Sequence, residues 1–169
     1  MKKIPTFITQ EEFEKIFEYE KDKNYKLAFL LGFEAGMRIS EIVGLKDKIK
    51  PLGKAQIDLK AHTIKIISGK GNKDRVVPLP KRFNQTAYRL LPLKKSRRAL
   101  EYRIKLLGKI LLNKDIHFHT LRHSFGSHLA PTRPLHEIQM LMGHSRLDTT
   151  GLYLHANPKE AVEGARNAF

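Results

Sequence analysis

Two arginines, two histidines, a lysine and a tyrosine stand in four short polar stretches. They are Arg38 in GMRISE, Lys70 in SGKGNKDR, His119 and Arg122 in HTLRHS, and His144 and Tyr153 in GHSRLDTTGLY. Singly, each has an ordinary explanation. Arg38 and Glu41, at i,i+3, could be a surface ion pair of small energetic weight. Lys70 could be a solubilising charge, and His119 and Arg122 could share one solvated helical face. His144, directly after Gly143, could favour a helix C-terminus as imidazolium. Together the six form a set with no paired carboxylates, which suits a phosphate diester handled without a metal ion. Guanidinium groups grip non-bridging oxygens through forked, charge-assisted hydrogen bonds and stabilise the charge of a pentacoordinate transition state. A phenol can attack phosphorus once a base takes its proton, and a lysine can protonate the departing oxygen.

Composition narrows the partner. The 169 residues suffice for one domain, and 32 Lys and Arg against 17 Asp and Glu leave a formal net charge of +15. Such a surface attracts nucleic acid or another polyanion. With no cysteine in the chain, disulfides, thiolate zinc sites and a cysteine nucleophile are excluded, and a reducing cytoplasm is the natural, though not the only, compartment. The longest apolar run, LAFLLGF, falls far short of the ~18 residues of a membrane span. MKKIPTF lacks the apolar stretch of a secretory signal.

The elements that must hold these side chains can be read from periodicity. Thr9 and Glu12 form a capping box ahead of a helix with Phe13, Ile16 and Phe17 on one stripe. NYKLAFLLGFEAGM reads as a buried helix, and Ser40 as the N-cap of a short one. QIDLK, HTIKIIS and DRVVPLP read as strands, the last two joined by the basic turn GKGNK. Leu100, Ile104, Leu107 and Leu111 mark a helix. FHTLRHSFGSHL and PLHEIQMLMGH predict two more, the second closed by Gly143 as a C-cap. Asp148 or Thr149 can cap a short helix carrying Tyr153. PKEAVEGARNA predicts a weakly amphipathic last helix that can fold back on its own core. The expected class is mainly α with a small three-stranded antiparallel sheet (α+β).

GMRISEIVGL, GKGNKDRVVPLP, HTLRHSFGSHL and LMGHSRLDTTGLYLH, in that order, resemble the four signature boxes of the tyrosine recombinases, the phage-integrase and Xer-like family. The resemblance runs from about Asn24 to Ala161. It implies that Tyr153 attacks a phosphate of duplex DNA to give a 3′-phosphotyrosyl link. It implies that Arg38 and Arg122 clamp the phosphate, Lys70 acts as general acid, His119 assists proton transfer and His144 hydrogen-bonds the phosphate. Lys73 and Arg75 are expected to contact DNA phosphates near the hairpin, and Glu41 to buttress Arg38 or cap a neighbouring backbone. His123 and His128 are expected in core or supporting hydrogen bonds, His117 and His155 at the surface. No cofactor or metal is implied. A homo-tetramer on DNA, with a monomer or weak oligomer when free, is the matching assembly.

The chain departs from the family pattern in three places. Residues 1–169 read as a single catalytic domain, with the family's N-terminal core-binding domain outside this sequence. FNQTAYRLLPLKKSRR is shorter than the matching region of most relatives, and HLAPTRPLHEIQ carries prolines where relatives place a glycine-bearing turn. The same residues also admit a type IB topoisomerase-like activity or a DNA-binding module with decayed catalysis. A zinc site on His119 and His123 is disfavoured because Thr120 stands where a metal hydrolase helix needs glutamate, and Arg122 would adjoin the cation.

Overall fold

A computed structural model of the chain describes residues 6–67, 74–143 and 158–169. Eight α-helices and one sheet occur among them, in the order α1 (Gln10–Tyr19), α2 (Lys23–Glu34), α3 (Ile39–Val43), β1 (Ile57–Asp58), β2 (Thr63–Ile66), β3 (Arg75–Pro78), α4 (Gln85–Leu90), α5 (Arg97–Leu107), α6 (Phe118–Leu129), α7 (Leu135–Met142) and α8 (Pro158–Asn167). The expected mainly α class with a small antiparallel sheet is what is found. Helix α2 is the central rod, and Leu27 to Glu34 are all buried. It packs on α6, with lesser contacts to α1, α3 and α5. The capping box forms as read: Glu12 N–H donates to Thr9 Oγ1 at 3.2 Å and Thr9 N–H to Glu12 Oε2 at 3.0 Å. Among the described residues no helix is long and apolar enough to cross a membrane.

The strands run in the order β1-β2-β3, antiparallel throughout. Side chains alternate across a strand, so Ile64, Ile66 and Val77 enter the core while Lys65 and Val76 face outward. Arg75 opposes Ile66 in this register and shares the inward face with Val77. After Leu107, α5 widens into a π-helical turn at Gly108–Leu112, ended by Asn113 in the left-handed conformation.

Two features differ from the expectations. Ser40 does not cap α3. Arg38 holds the N-cap position, because Glu41 reaches back to accept the Arg38 backbone N–H at 2.7 Å. The last helix is also more decisively one-sided than its small side chains suggest. Ala161, Val162 and Ala165 are buried on its inner face, and α8 lies against α7 and β3 of its own chain. Phe169 then stacks on Phe125 and meets Phe33 edge-on, while His128 Nε2 lies 2.6 Å from the Ala168 carbonyl oxygen. The segment with Asp148, Thr149 and Tyr153 lies outside the described residues.

Long-range ion pairs tie the early helices to later elements. Arg82, just beyond β3, donates through Nε to Glu34 at 3.1 Å and through Nη1 to Glu14 at 2.9 Å, and its guanidinium lies over the Phe17 ring at 4.3 Å. Burial raises the Glu34 carboxyl pKa, opposed by Arg82. Arg82→Ala leaves this buried carboxylate without its partner and should lower unfolding stability by about 3 kcal/mol, measured by urea denaturation against wild type.

Candidate active site

The C-terminal end of α7 organises the site. The last carbonyls of a helix have no intrahelical donors and carry the negative end of its dipole. Here three consecutive carbonyls receive three different arginines. Leu141 O accepts from Arg75 Nε at 2.7 Å, Met142 O accepts a short bond from Arg122 Nη2, and Gly143 O accepts from Arg38 Nη2 at 3.1 Å. The donors arise from β3, α6 and the start of α3, elements far apart in the chain. Gly143 closes α7 at φ 61°, as read from the sequence. A Cβ there would stand 2.8 Å from Arg75 Cδ, so glycine permits both the left-handed turn and the close arginine.

Glu41 is the carboxylate within this cluster. Arg75 grips it with both ends of its fork, Nη1 to Oε1 at 2.7 Å and Nη2 to Oε2 at 2.9 Å, and Arg38 Nη1 adds a third bond to Oε1 at 3.0 Å. Burial alone would raise the Glu41 pKa. Arg75, with help from Arg38, outweighs it and holds the carboxyl below its ordinary value. Arg122 is 1% exposed. Its described hydrogen bonds go to neutral carbonyls, Gly36 O at 2.6 Å besides Met142 O. Burial, with Arg38 and Arg75 close by, pulls the Arg122 pKa down to about 9, which still leaves it cationic at neutral pH. Three guanidiniums against one carboxylate leave a locally positive site suited to an anion.

That charge opens on a cleft of about 260 Å³ lined by Arg38, His119 and Arg122 together with Arg97, Glu101 and Ser40. The sequence-read residues Arg38, His119 and Arg122 are thus brought together. His119 lies in the first turn of α6, one turn before Arg122. Desolvation, then His123, Arg122 and Arg38, push its pKa down; the ring is neutral at pH 7 and able to accept a proton. His123 meets His119 edge-on at 4.3 Å. Lys70, Lys73, His144 and Tyr153 lie outside the described residues. Among the described residues no group of three His, Cys, Asp or Glu side chains is placed to hold a metal ion.

Arg75 is placed otherwise than expected. It is not a surface group on the hairpin but 8% exposed, its fork committed to Glu41. Strand alternation is the reason: at the start of β3 it points the same way as Val77. Sequence reading also missed Arg97 and Glu101. Glu101 Oε2 accepts the Phe118 N–H at 3.0 Å and so caps α6 from α5. Only the packing of α5 beside α6 reveals either residue.

A family model described as the phage integrase family matches residues 6–99 and 92–160. The chain belongs to that family. A curated tyrosine recombinase of Thermosipho africanus is 30% identical over 98% of this chain and 62% of its own length. The integrase of mycobacterium phage Brujita, 23% identical, shares the fold with a TM-score of 0.77 over all of this chain and 60% of that one. The XerH site-specific recombinase, solved bound to its difH substrate in a pre-cleavage complex, is 25% identical with a TM-score of 0.60, over 94% of this chain and 53% of that one. The chain therefore spans less than two thirds of the length of each of these relatives.

The Glu41 pairing has a pH signature. A folded-state pKa below the ordinary 4.5 means the unfolded chain binds more protons in that range. The stabilisation is complete above pH 4.5 and is lost as pH falls through the depressed folded value. Glu41→Gln should remove this part of the acid dependence and lower Tm at pH 7 by about 5–10 °C, read from thermal melts between pH 3 and 7.

Proposed function

We propose that this chain is the catalytic domain of a site-specific DNA recombinase that cleaves and rejoins duplex strands through a 3′-phosphotyrosyl intermediate. The observation that carries the reading is the convergence of Arg38, Arg122 and a neutral His119 on one positive cleft. The name of the Thermosipho relative and the substrate-bound state of XerH support it.

In this reading Arg38 and Arg122 hold the non-bridging oxygens of the scissile phosphate and stabilise its added negative charge. The Tyr153 phenol oxygen attacks phosphorus as its proton passes to His119. A phosphorus–tyrosine bond forms and the bond from phosphorus to the 5′-oxygen breaks. Lys70 gives the 5′-oxygen its proton, and His144 hydrogen-bonds the phosphate. Attack by a 5′-hydroxyl, from the same or another strand, reverses each transfer and releases Tyr153. The phosphodiester energy is retained in the covalent link, so resealing needs no nucleotide. Lys73 is read as a DNA phosphate contact. Pairwise exchange calls for four such protomers on two duplexes.

The decisive test uses nicked suicide duplexes of randomised sequence. Wild type should form a denaturant-resistant covalent adduct, undiminished by chelator, and Tyr153→Phe should form none. Arg38→Ala and Arg122→Ala should each slow adduct formation by about a hundredfold or more. No adduct with any duplex would leave a binding module instead. Duplex affinity should fall steeply with salt, log K against log salt having a slope of about −0.9 per phosphate contact. A flat response would remove DNA as the partner.

A further inference from the structure

We propose that Arg75 is a positioning residue for Arg38, a role that rests on the reading of Arg38 as a phosphate clamp. The argument begins with how the donors and acceptors are used. A carboxylate offers two oxygens and roughly four acceptor sites. Glu41 Oε1 receives Arg75 Nη1 and Arg38 Nη1; Oε2 receives Arg75 Nη2 and the Arg38 backbone N–H. Both of Arg38's bonds to Glu41 therefore share an oxygen with the Arg75 fork. The plane of the Glu41 carboxylate is set by that fork, because two parallel bonds define an orientation that one bond cannot.

Arg75 is itself fixed at its other edge. Its Nε donates to Leu141 O, two residues before the Gly143 carbonyl that accepts Arg38 Nη2. One buried guanidinium thus registers β3, α3 and the end of α7 against one another, and Arg38 is held at both contact points by groups that Arg75 locates. The Arg38 side chain is 34% exposed, open enough to meet a ligand and long enough to wander without such a frame. Direct contact of Arg75 with DNA would require it to leave a buried carboxylate, which is strongly unfavourable.

Arg75→Lys keeps the charge opposite Glu41 but cannot make the fork. It should slow covalent trapping by about tenfold to a hundredfold, as expected when a reacting group is displaced by a fraction of an ångström to one ångström. In the paired variant Arg75→Gln with Glu41→Gln, which removes the charge together with its buried partner, the salt slope of duplex binding should stay unchanged; a slope smaller by about one contact would mean that Arg75 binds phosphate, and would overturn the proposal. Combined with Arg38→Lys, Arg75→Lys should add little further loss, whereas multiplying rate losses would show that it acts independently of Arg38. A readout without DNA is the Nε–H resonance of Arg38 in isotopically labelled protein. Arg75→Lys, and separately Glu41→Gln, should move it toward the position of a free arginine. An unmoved resonance in either variant with a cooperative melt overturns the positioning role, even if wild type traps no duplex and the recombinase reading itself falls.

Discussion

Three arginine side chains gather at the end of one short helix because its last carbonyls need donors and its dipole needs positive charge. Leu141, Met142 and Gly143 supply the acceptors, and Arg75, Arg122 and Arg38 supply the donors from β3, α6 and α3. Most of the site follows from this meeting. Mutual repulsion of the guanidiniums is offset by the carbonyls and by Glu41, and the remaining positive charge is directed at the cleft. Burial first, and then the neighbouring positive charges, lower the pKa values of Arg122 and His119.

The rest of the fold serves to deliver those donors. Central α2 carries the chain to Gly36, whose φ of 62° turns its carbonyl into reach of Arg122. The sheet register brings Arg75 inward opposite Ile66. Helix α5 contributes Glu101 to cap α6, fixing the turn that holds His119, and adds Arg97 to the rim. At the far side α8 covers α7 and β3, so the helix whose end binds the arginines is itself buttressed within the same chain.

Membership of the phage integrase family agrees with this arrangement and with what the signature stretches imply. The pairing of Glu41 with Arg75 adds a distinction between residues that face an anion and residues that set their angle. In the proposed reading Arg38 is of the first kind. Arg75, a neighbour of Lys73 in sequence and equally basic, is then of the second, because burial and a carboxylate partner have used its charge.

Local chemistry was legible in the sequence. The Thr9–Glu12 capping box, the Gly143 C-cap, the inward apolar stripe of α5 and the i,i+3 relation of His119 to Arg122 each depend on residues within a turn or two of one another, and each is found. Residue types also pointed toward phosphate chemistry, the expectation on which the proposed function rests, since arginines, histidines, a lysine and a tyrosine without paired carboxylates have few other chemical uses in common. What tertiary structure decided was which of those cations face the cleft. Arg38 meets Gly143 across 105 residues, Arg75 meets Leu141 across 66 and Glu41 across 34. Such partners are chosen by strand register and helix packing, and a periodic pattern gives the face of each element without saying what will lie against it.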